Sequence, residues 1–308
     1  MGMERLEPML RLVSLVLLVM AGGDATAAEA RARLLKAEFS AAEADGGAVK
    51  ALGQQRAFLD TRVPARGQLV VFLHGAGSNE SCGPAAHLRL LAGYGFHVFS
   101  PCYVADYGVE NCGRDIKGCR LEAFEGVDHH PYVQITPADS IERRVTRGLR
   151  YLETLQPEAG WGDFLEDDDQ PRWQDIVLTG HSHGASTAAL IGKVRPLNRI
   201  VMLAGPYDLD QAWLAETPLT SVDRYYGFSH VGDQQHPGHL AAFEALGLPG
   251  PVVEVDRNAP PYGGSHRLIT AVEGDTPHSA VRAGSVSPRI GESFVLEPVW
   301  RYLYSVGE

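Results

Sequence analysis

Beyond residue 53 the chain alternates between two hydrophobic rhythms. Some runs are apolar at nearly every position: residues 68–75 read QLVVFLHG, 96–101 FHVFSP, 175–180 DIVLTG, 199–205 RIVMLAG, 224–232 RYYGFSHVG and 252–256 VVEVD. Short runs of this kind, rich in Val, Ile, Phe and Tyr, are strands buried on both faces. Between them, apolar positions recur at helical spacing in 83–95 (GPAAHLRLLAGYG), 139–155 (DSIERRVTRGLRYLETL), 184–192 (GASTAALIG), 239–248 (HLAAFEALGL) and 296–306 (LEPVWRYLYSV). Asp139 or Ser140 is placed to cap the second of these helices. Residues 53–60 (GQQRAFLD) read as an early strand, and 29–44 (EARARLLKAEFSAAEA) as helix-prone. Strand and helix in regular alternation predict an α/β fold, a mostly parallel central sheet with helices on both faces. Ligands of such sheets bind beyond the carboxyl ends of the strands. No internal repeat is visible, and residues 28–308 are expected to form one domain with a polar, Cys-containing insertion at about 103–138.

The first residues are of another kind. The apolar run 10–21 (LRLVSLVLLVMA) precedes the small-residue triplet Ala25-Thr26-Ala27, the pattern of a signal peptide occupying 1–27. Glu4 and Glu7 offset Arg5 and Arg11 ahead of it; a start at Met9 would leave Arg11 as the leader's charge. The run is short for a membrane span. An uncleaved anchor or a buried helix is the alternative to cleavage near Ala27, and the expected location is secreted or periplasmic, with no membrane span after signal removal. Lys plus Arg number 27 against 38 Asp plus Glu, a net charge of −11, which argues against nucleic acid as a partner. Four cysteines fit an oxidising compartment. Cys112 and Cys119 would staple the polar insertion, and Cys82 and Cys102 can pair if a helix start lies over a strand end. No pair of close Cys pairs points to zinc. The acidic run 166–169 reads as a solvated loop rather than a calcium site.

The chemistry is concentrated in residues 175–187, DIVLTGHSHGAST. Gly180-His181-Ser182-His183-Gly184 has G-x-S-x-G spacing, with a strand before it and a small-residue helix after it, the setting of a nucleophile elbow. Either glycine, given a side chain, would clash with the adjoining strand or helix. A nucleophilic serine needs two donors for the oxyanion. The backbone N–H of His183 is one, and the loop LHGAGSN after the strand at 68–73 offers Ala76 as the other, with His74 supporting that loop through hydrogen bonds. Paired HGAG and GHSHG motifs, in this order on alternating strands, resemble the serine α/β-hydrolase superfamily from about residue 68 to the C-terminus.

That resemblance implies the chain order Ser, acid, His. Asp233 follows the second strand after the elbow strand and is the expected acid; Asp208 is the alternative and Asp256 a third. His266, in a GGSH tetrapeptide similar to that of cutinase-like and polyester-degrading hydrolases, is the expected base. His278 takes its place if residues 266–272 (HRLITAV) form the last strand. His181 and His183 have metal-like spacing that the elbow already explains, and His129-His130 reads as a solvated loop pair. Tyr207 and Trp213 are expected as apolar walls of a lightly covered cleft, with Tyr103 a further candidate. The implied activity is hydrolysis of a small or polymeric carboxylic ester through an acyl-enzyme, with no metal or organic cofactor. A serine peptidase or acyltransferase on the same triad is the alternative, and a non-catalytic binding module of this fold the second.

Overall fold

A computed structural model describes Met1 and residues 32–77, 82–208 and 212–307; apart from Met1, the expected signal peptide lies outside them. Residues Leu34–Glu308 form one compact unit around a nine-stranded sheet. Its strands are β1 (Leu34–Ser40), β2 (Gln54–Asp60), β3 (Leu69–Leu73), β4 (His97–Ser100), β5 (Ile176–His181), β6 (Arg199–Leu203), β7 (Tyr225–His230), β8 (Val252–Glu254) and β9 (Arg267–Thr270). The order across the sheet is β1-β2-β4-β3-β5-β6-β7-β9-β8. β1–β2 and β2–β4 pair antiparallel, and every later pairing is parallel. This is the mostly parallel α/β architecture that the alternating rhythm predicts.

The all-apolar runs are explained by two cores, one on each face. Leu69, Val71 and Leu73 of β3 join Ile176 and Leu178 of β5 beneath the helices Ile141–Leu155, His183–Val194 and His236–Ala245. The alternate residues Val70, Phe72 and Val177 meet Leu88 and Leu91 of the helix Ala85–Gly93 and Trp300 and Leu303 of the helix Glu297–Leu303. All five β3 residues are fully buried, so neither face tolerates a polar position. Ser140 caps the helix Ile141–Leu155 by accepting the Arg143 N–H.

Two expectations are corrected. Residues 34–40 lie in the helix-prone stretch, yet they form β1, paired antiparallel along all of β2 from Leu34↔Asp60 to Ser40↔Gln54. Local propensity yields there to a full ladder of strand hydrogen bonds; only Ala41–Ala44 turn helical. Second, VVEVD is not the last strand. β9 follows it and enters the sheet between β7 and β8, which changes where each candidate histidine lies.

The insertion is ordered by its own devices. The helix Ile116–Glu125 occupies its centre, and disulfides join Cys112 to Cys119 and Cys82 to Cys102. Buried Glu122 accepts the backbone N–H groups of His129, His130 and Ile135, closing the following loop. In the acidic run, Asp169 pairs with Arg150 and Glu166 with Arg172. Among the described residues no helix is long and apolar enough to cross a membrane.

Candidate active site

β5 delivers the chain to Ser182, and the helix His183–Val194 carries it away. Ser182 has φ 57° and ψ −121°, a backbone conformation that costs a non-glycine residue about 1–3 kcal/mol. Both motif glycines are required by contact. A Cβ on Gly180 would stand 2.0 Å from the Gly184 carbonyl oxygen, and one on Gly184 would stand 2.1 Å from that of Leu73. The elbow is thus wedged against the end of β3. There the oxyanion-loop candidate begins, close enough that a Cβ on Gly75 would lie 3.4 Å from Ser182 Cβ. Ser182, Ala76, His181 and His278 line one cleft of about 430 Å³.

His278 comes from the short helix Pro277–Ala280, beyond the carboxyl end of β9. Its Nδ1–H donates to Asp233 Oδ2 at 2.6 Å. Asp233 stands in the turn after β7, where its Oδ1 accepts the Gln235 N–H at 2.9 Å. Burial raises the Asp233 carboxyl, but the Gln235 N–H and the His278 ring outweigh it and hold the pKa below its ordinary value. With Nδ1 committed to the carboxylate, the neutral His278 ring keeps its lone pair on Nε2. The side chain of His278 is 35% exposed and that of Asp233 only 4%, so the ring reaches the cleft while its anchor stays dry. His181 Nε2–H donates to the His278 carbonyl at 2.8 Å. Burial pushes His181 down to about 3, so it is a neutral donor.

The remaining sequence candidates stand elsewhere. His266 precedes β9 and therefore lies at the opposite end of a parallel strand from the elbow. Its Nδ1–H donates to the Tyr225 carbonyl at 2.9 Å, and its ring stacks on Tyr226 with centroids 3.9 Å apart. Asp208 is occupied in both oxygens by Arg120, at 2.6 and 2.7 Å. Asp256 accepts from the Thr270 hydroxyl and the Ala271 N–H. Trp213 is buried in the core, and Tyr207, edge-on to His239, is largely exposed; neither lines the Ser182 cleft. Tyr103 lines a second cavity of about 420 Å³ that shares His74 with the first.

Behind the elbow runs a hydrogen-bond chain that the sequence did not reveal. Arg120 donates to His183 Nε2 and to its carbonyl, both at 3.3 Å, and to Thr187 Oγ1 at 2.8 Å. The Tyr103 hydroxyl lies 3.2 Å from His183 Nδ1 and donates to the His74 carbonyl at 2.8 Å. The Tyr103 N–H donates to His74 Nε2, so His74 Nδ1–H donates onward to the Gly75 carbonyl at 2.8 Å. Burial holds His74 at about 4 and, with the Arg120 charge, keeps His183 well below its ordinary value, so both rings are neutral. The two backbone segments carrying Ala76 and His183 are therefore braced against each other. Of this brace the sequence alone points to His74, as the support of the loop, but not to Arg120, whose only sign is a basic residue directly after Cys119. Burial works against the Arg120 charge, but Asp208 outweighs it and raises the guanidinium. Cys112, Cys119 and His130 are close together, but their sulfurs are joined in a disulfide and do not form a metal-ligand set.

No protein-family model and no curated protein matches the chain. Solved structures with similar folds include the feruloyl esterase module of Clostridium thermocellum in complex with sinapinate. It is 13% identical, with a TM-score of 0.39, and the match covers 82% of this chain and 86% of that one. Esterase B from Lactobacillus rhamnosis is 12% identical at TM-score 0.39, with 80% of each chain covered. The acylaminoacyl peptidase of Pyrococcus horikoshii is 10% identical at TM-score 0.39, covering 82% of this chain and 39% of that one. Likenesses of this strength decide neither residue roles nor substrate.

Proposed function

We propose that this protein is a serine hydrolase that cleaves carboxylic esters through an acyl-enzyme, with Ser182 as nucleophile, His278 as base and Asp233 as the residue that orients it. One observation carries the reading: strained Ser182 shares a cleft with a histidine whose Nδ1 is held at 2.6 Å by a buried carboxylate. His278 Nε2 takes the Ser182 proton as Oγ attacks the ester carbonyl. The N–H groups of Ala76 and His183 receive the oxyanion. The imidazolium, stabilised by Asp233, gives its proton to the departing alcohol, and water repeats the sequence to release the acid. These steps require no cofactor. The apolar leader and the two disulfides support export to an oxidising compartment.

The test is a fluorophosphonate probe on the purified protein, with the adduct mapped by mass spectrometry, alongside matched p-nitrophenyl esters and p-nitroanilides. The expected adduct is on Ser182, with esters turned over much faster than anilides. An adduct elsewhere, or none, overturns the reading. Faster anilide turnover replaces the esterase by a peptidase.

A further inference from the structure

Arg282 is the one permanent cation lining the Ser182 cleft among the described residues, and it arrives on the same segment as the base, four residues past His278. It is half-buried, and its surroundings differ from those of the two fully buried arginines. Arg120 is neutralised by Asp208 and Arg144 by Asp139. Among the described residues no carboxylate pairs with Arg282, and burial alone pushes its guanidinium below its ordinary value. Among the described residues no carboxylate lines the cleft either. Asp233, the acid beside His278, is already committed to His278 and Gln235.

The backbone under Arg282 is fixed. Val281 and Ala283 on either side are fully buried, the Ala283 N–H donates to His87 Nδ1 at 3.0 Å, and the Ser287 hydroxyl donates to the Arg282 carbonyl. A cation partly withdrawn from water without a counter-charge is favourably placed to receive one. A guanidinium carried on a fixed backbone can meet a planar carboxylate with two parallel hydrogen bonds.

We propose that Arg282 is a substrate-recognition residue that binds a free carboxylate on the ester, so that the preferred substrates are anionic esters. This rests on Ser182 and His278 being the catalytic pair. It also separates local from global electrostatics. A net charge of −11 repels anions at long range, so any preference for them must come from short-range pairing inside the cleft.

The test compares kcat/KM for two matched pairs. Mono-p-nitrophenyl succinate against p-nitrophenyl butyrate places the charge on the acyl side, and 4-acetoxybenzoate against phenyl acetate places it on the alcohol side. The readout is the anionic-to-neutral ratio in wild type, R282K and R282Q. The expected result is a fall of at least about tenfold in R282Q for one of the two pairs, with R282K intermediate. Benzoate should inhibit wild-type hydrolysis of the neutral esters competitively, and more strongly than benzamide, because only the carboxylate pairs with the guanidinium. A ratio unchanged by both substitutions in both pairs, or equal inhibition of the wild type by benzoate and benzamide, overturns the proposal. The inhibitor pair needs no variant, so a misfolded R282Q does not remove the test. Anionic and neutral esters hydrolysed at a labelled Ser182 in a ratio that does not depend on Arg282 would refute this assignment alone. No Ser182 labelling at all would refute the catalytic reading beneath it.

Discussion

His266 and His278 bracket the same four-residue strand, and the two ends of β9 put them in different chemistry. At the amino end, His266 is buried, bonded through Nδ1 to the Tyr225 carbonyl and stacked on Tyr226. At the carboxyl end, His278 binds a carboxylate through Nδ1 and opens its ring to the cleft. Both rings have one nitrogen occupied by an acceptor. What differs is the charge of that acceptor and the end of the sheet. In a parallel sheet every strand's carboxyl end points the same way, so the loops after β3, β5, β7 and β9 meet while the loops before them do not. Asp233 and Asp208 contrast similarly: each is a buried carboxylate with a cationic or ring partner, but one faces His278 and the other is spent on Arg120.

The strongest way to break this comparison is to exchange the histidines' fates. Ser182→Ala and His278→Ala should each lower kcat/KM for p-nitrophenyl acetate by more than roughly 10³-fold. His266→Ala should keep activity within about threefold while losing a hydrogen bond and a stack, about 2 kcal/mol together, and several degrees of Tm. A comparable activity loss in His266→Ala would reverse the assignment. Next comes the pair of acids. Asp233→Asn should cost roughly 10³–10⁴-fold in kcat with little change in Tm. Asp208→Asn strips the counter-charge from buried Arg120 and should destabilise by about 3–5 kcal/mol, read by urea unfolding. A stable, inactive Asp208→Asn would contradict that division.

A smaller effect probes the brace on the base. His181→Ala should lower kcat about tenfold with KM nearly unchanged, because the His278 carbonyl loses its donor. His181→Gln, which retains an N–H donor, should recover most of that loss. An unchanged kcat in both variants would mean the bond does not position His278.

Stability should also depend on pH through the buried rings. His74 and His239 are held by burial at about 4 and His181 at about 3, against an ordinary value of 6.5. Between pH 6.5 and 4 the unfolded chain therefore binds protons that the native one refuses, and stability falls as pH falls through that window. Above pH 6.5 this contribution is fully present. Urea unfolding at pH 7.5, 5.5 and 4.5 should show a progressive loss amounting to a few kcal/mol, and constant stability across that range would exclude neutral buried rings.

Much of this arrangement was legible from residue order, and particular residues show why. The elbow was readable because G-x-S-x-G is a local steric demand: Gly180 and Gly184 answer to neighbours that any strand-turn-helix brings with it. Strands apolar on both faces announced a covered parallel sheet for the same local reason. β1 was misread because its Leu, Ala, Lys and Glu residues favour a helix until β2 offers a partner. The Arg120–Asp208 pair spans 88 residues and leaves no mark on local pattern.

The elbow at Ser182, the cysteine content and the two-sided sheet follow from the sequence alone, because spacing, turn geometry and burial are local properties. Which histidine meets Asp233, which acid is already spent, and which arginine lines the Ser182 cleft were decided only by tertiary structure. The insertion of β9 between β7 and β8 carries His278, not His266, to the carboxyl edge, and contacts across that edge join residues with no regular separation along the chain.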